Sequence, residues 1–109
     1  MIEKITAGRD AMGVFAPKFA ELNDDVLFGQ VWAREEQLSA RDRSIVTVTA
    51  LMASGILDSS LQHHIQNAKK HGVTAVEMAE LLTHGAFYAG GPKAWAALGM
   101  AKEIYGTAD

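Results

Sequence analysis

Residues 38–55 read LSARDRSIVTVTALMASG, and whether this stretch is helix or strand decides the fold class. Its centre, Ile45–Thr49, is β-branched at every position, which alone favours a strand. The flanks argue for a helix. Ser39 and Asp42 have the spacing of an N-terminal capping pair, with Asp in place of the longer Glu. Ile45, Val48, Leu51 and Met52 recur at helical spacing. The segment ALMA extends the pattern, and Gly55 is a natural stop. The stretch is therefore expected to be helical.

Working outward, every other signal is helical too. A first helix is expected from about Glu3 to Met12, weakened by Gly8. A second starts at Pro17, a residue suited to a first helical turn, and runs to about Leu22. Asn23 and Asp24 look like stop and cap residues, after which DVLFGQVWA forms another short helical piece. On the C-terminal side, Asp58 or Ser59 caps a helix that Gly72 closes. Thr74 and Glu77 form a capping box before AVEMAELLTHGAFYA. Gly90 and Gly91 break the chain, and Pro92 begins a last helix through about Tyr105. The connections are short, so neighbouring helices are expected to pack as antiparallel hairpins. The expected fold is an all-α, single-domain helical bundle over residues 1–109.

Composition narrows the function. The 109 residues carry a net charge of −3, and Lys69–Lys70 is the only pair of adjacent basic residues. A nucleic-acid partner demands a basic stripe, and none is present. No apolar run approaches the ~18 residues of a membrane span, and the N-terminal segment lacks the apolar stretch of a signal peptide. A cytoplasmic location is the default expectation. Apolar residues make up 49% of this short chain, which points to apolar surface facing another subunit and hence to a homo-oligomer. There is no cysteine, so chemistry that needs a protein thiolate is excluded.

The four histidines are the candidate chemistry. His63 and His64 are adjacent and point about 100° apart on a helix. His64 and His71 share a face but lie roughly 10.5 Å apart at ~1.5 Å per residue, too far to chelate one ion through bonds of about 2 Å. No metal is expected. His64 falls within or beside the apolar stripe of Leu61, Ile65 and Ala68. It reads either as a core histidine or as an imidazole at a pocket wall. His84 has Glu80 one turn before it and Tyr88 one turn after, on one helix face. That triplet suits anion binding, proton movement or a structural ladder between subunits. Phe28, Trp32, Phe87 and Trp95 suit the core or an interface better than a stacking site. The segment YAGGP lacks the GK[ST] ending of a phosphate-binding loop.

Three separated motifs carry a family resemblance: WAREEQLSARDRSIVTVTALMASG (32–55), HHIQNAKKHGVT (63–74) and LLTHGAFYAGGPKAWAAL (81–98). Together the region from about Val26 to Tyr105 resembles the carboxymuconolactone decarboxylase family. The resemblance implies an alkylhydroperoxidase D-like helical fold, assembled as hexamers or trimers with pockets near subunit contacts. One branch of that family reduces peroxides through a Cys-x-x-Cys pair just before a histidine. The histidine corresponds to His64, and the cysteine positions to Leu57 and Ser60, so that activity is expected to be absent. The other branch removes carbon dioxide from 4-carboxymuconolactone to give an enol-lactone. It too has a counterpart of His64 and of the stretch Tyr88, Ala89, Gly90 and Pro92. Some relatives have glutamate where this chain has Ser44, a departure that weakens any acid–base role there.

What the resemblance implies is a decarboxylase for a small lactone or carboxylic acid, working without metal or organic cofactor. His64 is the expected catalytic acid. Arg41 is a candidate for holding a carboxylate bidentately, His84 and Tyr88 for binding the carbonyl, and Trp32 for a further substrate contact. The competing expectation is a non-catalytic oligomer that keeps the fold and binds a small ligand.

Overall fold

The computed structural model describes residues 4–106. No strand forms among them, and the β-branched run at 45–49 lies inside a helix. The described residues gather into two compact units that meet in sequence at Ala40–Arg41.

The unit beginning at Arg41 is built from four helices: α3 (Ala40–Ala53), α4 (Ser59–Lys70), α5 (Ala75–Ala89) and α6 (Gly91–Gly106). In α3 the Thr47 and Thr49 hydroxyls donate to the carbonyls of Arg43 and Ile45, both at 2.8 Å. These back-bonds satisfy the hydroxyls within the helix, so the threonines fit where strand propensity alone would not place them. Helix α4 starts at Asp58, whose carboxylate accepts from the Ser60 backbone N–H at 2.9 Å. The expected box at Thr74 and Glu77 is complete: Thr74 N–H donates to Glu77 Oε1 at 2.9 Å, and Glu77 N–H to Thr74 Oγ1 at 3.1 Å. Gly72 and Gly90 follow α4 and α5 with φ of +95° and +112°, a backbone region that side-chain-bearing residues rarely adopt.

Val48 and Met52 of α3, Leu61 and Ile65 of α4, Met78 and Leu82 of α5, and Ala97 and Ala101 of α6 form one core. Helix α6 is its organising element, because both α5 and α4 pack on it. The principal helix neighbour of α4 is thus α6, two elements later in sequence. Buried Tyr105 of α6 donates its hydroxyl to the Val73 carbonyl at 2.7 Å, tying the end of α6 to the α4–α5 connection. Lys69 Nζ donates to the Ile104 carbonyl at 3.2 Å and lies 5.6 Å from the Tyr105 ring centre.

The unit ending at Ala40 contains α1 (Ala7–Met12), α2 (Pro17–Glu21) and a π-helical segment, Leu22–Val31. The expectations differ from the structure here. Asn23 and Asp24 do not stop a helix. The chain passes from α2 directly into wider turns, seen in the Trp32 N–H bond to the Leu27 carbonyl at 2.9 Å. Asp24 serves a different purpose. Its buried carboxylate accepts from the backbone N–H groups of Gly8 at 2.7 Å and Arg9 at 3.0 Å, where α1 has unsatisfied donors. Gly8, which weakens α1 by propensity, is required by packing: a Cβ there would lie 2.6 Å from Asp24 Oδ1. The first helix begins at Ala7, and the expected start at Glu3 lies outside the described residues. No helix among the described residues is long and apolar enough to cross a membrane.

Candidate active site

Helix α4 positions His64 by its register. Leu61, Ile65 and Ala68 are fully buried, and His64 sits beside this stripe, half-buried. Its imidazole forms no hydrogen bond among the described residues. Partial burial, followed by the nearby charge of His63, pushes its pKa below the ordinary histidine value. The group is therefore neutral near pH 7, with one N–H donor and one acceptor nitrogen free for a ligand. His63 is exposed, stands edge-on to His64 with ring centres 5.2 Å apart, and has Asn67 Nδ2 at 3.2 Å from its Nε2.

A second cluster lies along α3 and α5. A groove of about 510 Å³ is lined by Arg41, Ile45 and Thr49 on one side and by Glu77, Glu80, Leu81 and His84 on the other. Gly85 lets α5 approach α3 at the groove: a Cβ there would meet Met52 Cε at 2.8 Å. The Arg41 guanidinium is held by Glu77 through Nη2 and by Asp42 through Nη1 at 3.1 Å. The hydrogen bond and charge of Glu77 raise the Arg41 pKa further. The Thr74 backbone N–H and then Arg41 hold Glu77 below the usual carboxylate range. Glu77 thus closes the capping box and carries an ion pair with a residue 36 positions away. His84 is exposed, and its ring centre lies 5.2 Å from that of Tyr88.

The structure brings Arg41 and His84 to one groove, with Tyr88 a turn further along α5 beside His84. His64 is not among the residues lining that groove. Trp32 belongs to the N-terminal unit, half-buried, where its ring stacks on Phe28 at 6.0 Å between centres. Phe87 and Trp95 are 85% and 79% exposed, so they are not core residues of the chain.

Sequence reasoning missed the pairing of Ser44 with His71. Ser44 is buried on α3, and its Oγ lies 2.9 Å from His71 Nδ1 at the C-terminal cap of α4. Ser44 thus links α3 to the end of α4. Nothing in the local sequence signals a contact across 27 residues.

Residues 17–103 match the profile of the Carboxymuconolactone decarboxylase family. The chain belongs to this family. The match begins at Pro17, so it takes in α2 and the whole π-helical segment as well as the region from Val26 that carries the sequence resemblance. The chain is also 40% identical over 78 residues to a 4-carboxymuconolactone decarboxylase of Acinetobacter baylyi. That alignment covers 72% of this chain and 57% of the relative. The 109 residues include no cysteine, so they supply no thiolate.

Proposed function

We propose that the protein is a cofactor-independent decarboxylase acting on 4-carboxymuconolactone or a related small lactone acid. The observation that carries this reading is the half-buried, neutral and unengaged imidazole of His64 in a member of this family. In the reaction, the bond from the ring carbon to the departing carboxylate breaks. Its electron pair moves through the conjugated system to the lactone carbonyl oxygen, and carbon dioxide leaves. A proton then returns to carbon as the carbonyl re-forms. Acid catalysis of such a step contributes typically ~10²–10⁴-fold.

His64 is the acid in this scheme. Free, it is neutral near pH 7. A substrate carboxylate beside it favours the imidazolium, so the substrate's own charge helps to load the proton donor. His84 and Tyr88 bind the lactone carbonyl, where a donor aimed at the developing oxyanion contributes about 3–4 kcal/mol. Arg41 holds a carboxylate, but its guanidinium already serves Glu77 and Asp42, so its contribution is the smallest. Because His64 does not line the Arg41–His84 groove, the proposal includes a hexamer or trimer in which subunits complete the pocket, with helix hairpins antiparallel and the assembly cytoplasmic. The exposed Phe87, Tyr88 and Trp95 support such an assembly.

The test is carbon dioxide release from 4-carboxymuconolactone by the purified protein. Stoichiometric release with enol-lactone formation is the expected result. Saturable binding of the lactone without release would replace this reading with that of a ligand-binding oligomer.

A further inference from the structure

The groove between α3 and α5 has apolar walls and an acidic lining. Ile45 of α3 and Leu81 of α5 are half-buried and pack against the core. The Thr49 hydroxyl spends its proton on the Ile45 carbonyl at 2.8 Å. Gly85 adds no side chain. At about 510 Å³ the groove lies within the size range of small-molecule sites. The lining carries one guanidinium and two carboxylates. Arg41 is already shared by Glu77 and Asp42. Glu80 has no ion pair or hydrogen bond among the described residues. His84 has no hydrogen bond there either, so its imidazole has a nitrogen open to a ligand carbonyl.

We infer that the α3–α5 groove is a site for an uncharged lactone ring, and that Glu77 and Glu80 set its preference against carboxylates. Ile45 and Leu81 give a ring apolar surface to cover. A carboxylate laid against them loses hydration and finds no uncommitted cation in return. Brought to Arg41, it also meets Glu77 and Asp42, so it gains little there. Glu80 repels it from the same lining. A cation loses hydration against the same walls, and Glu80 is exposed and screened by water. A neutral carbonyl faces neither cost and accepts from His84. The ligand class follows from the groove itself. Its bearing on catalysis rests on the decarboxylase reading: the lactone ring of the substrate enters the groove, and the departing carboxylate stays outside it. That division accords with the absence of His64 from the lining.

The experiment is an NMR titration of the full-length protein at pH 8, following the amides of Ile45, Thr49, Leu81 and Gly85. The probes are a butenolide γ-carboxylate and its methyl ester, which share a ring and differ in charge. The ester is expected to bind about three- to tenfold more tightly, the effect of one uncompensated charge ~6 Å away under surface screening. Glu80→Gln, a change to an exposed side chain, is expected to narrow that gap. Glu77→Gln keeps the capping box, which glutamine also closes, but releases Arg41 for an anion. It is expected to close the gap or reverse it. Equal or tighter binding of the carboxylate by wild type overturns the inference. So does an ester that leaves these amides unmoved, or a gap unchanged in both variants. An ester preference that narrows as described, without carbon dioxide release from 4-carboxymuconolactone, supports the ligand class and counts only against the decarboxylase reading.

Discussion

Each of the two units is stabilised internally by a different means. The C-terminal unit has a continuous apolar core in which Val48, Met52, Leu61, Ile65, Met78 and Leu82 are fully buried. The N-terminal unit leaves Val14, Phe15 and Phe19 exposed, and its segments meet around the buried carboxylate of Asp24. Burial alone raises the Asp24 pKa. The hydrogen bonds from Asn23, Arg9 and Gly8 outweigh it and hold the group below its ordinary value. One unit is thus stabilised by area removed from water and the other by a few directed bonds. The first kind of stability depends on volume, the second on a single charge state.

The largest test of this contrast is Leu82→Ala. It opens a cavity in the core and is expected to cost about 2–5 kcal/mol by chemical denaturation. A loss below 1 kcal/mol would mean that α5 is not anchored as described. Next comes Asp24→Asn, which removes the charge and half of the acceptor capacity. Hydrogen exchange at amides 7–31 is expected to accelerate while protection in α4–α6 stays unchanged. Equal loosening of both regions would erase the distinction between them.

How much of this was legible in the sequence follows the same division. The starts of α4 and α5 are written in local capping residues: the Thr74–Glu77 box forms as read, and of the two caps read for α4, Asp58 and Ser59, it is Asp58 that caps. Helix α3 was legible because flanks and periodicity outweighed five β-branched residues. The π-helical segment was not, since LNDDVLFGQV carries no mark that separates a wide turn from an α-turn. Asp24 resembled a stop because its partners lie 15 and 16 residues away. The candidate site divides likewise. His64 stood out by its place beside the Leu61–Ile65 stripe, whereas the commitment of Arg41 to Glu77 needed the fold.

A smaller effect sharpens the picture of the C-terminal unit. Tyr105→Phe keeps the ring in the core but leaves the Val73 carbonyl without its 2.7 Å donor. A loss of about 1–2 kcal/mol is expected, measured by thermal unfolding against wild type. The smallest is the pH dependence contributed by His64. Its folded pKa lies below the unfolded value of about 6.5, so the unfolded state binds the proton first. This contribution is present above that pH and is lost as pH falls through it. His64→Gln is expected to flatten the stability curve slightly between about pH 7 and 5. A steeper curve in the variant would show that the sign is wrong.

The central claim is that His64 delivers the proton that completes decarboxylation. Single-turnover carbon dioxide release from 4-carboxymuconolactone, measured for wild type and His64→Gln at matched lactone occupancy, tests it most directly. The account predicts release by wild type and a loss of ~10²-fold or more in the variant, with lactone still bound. Equal release rates in the two proteins would contradict it.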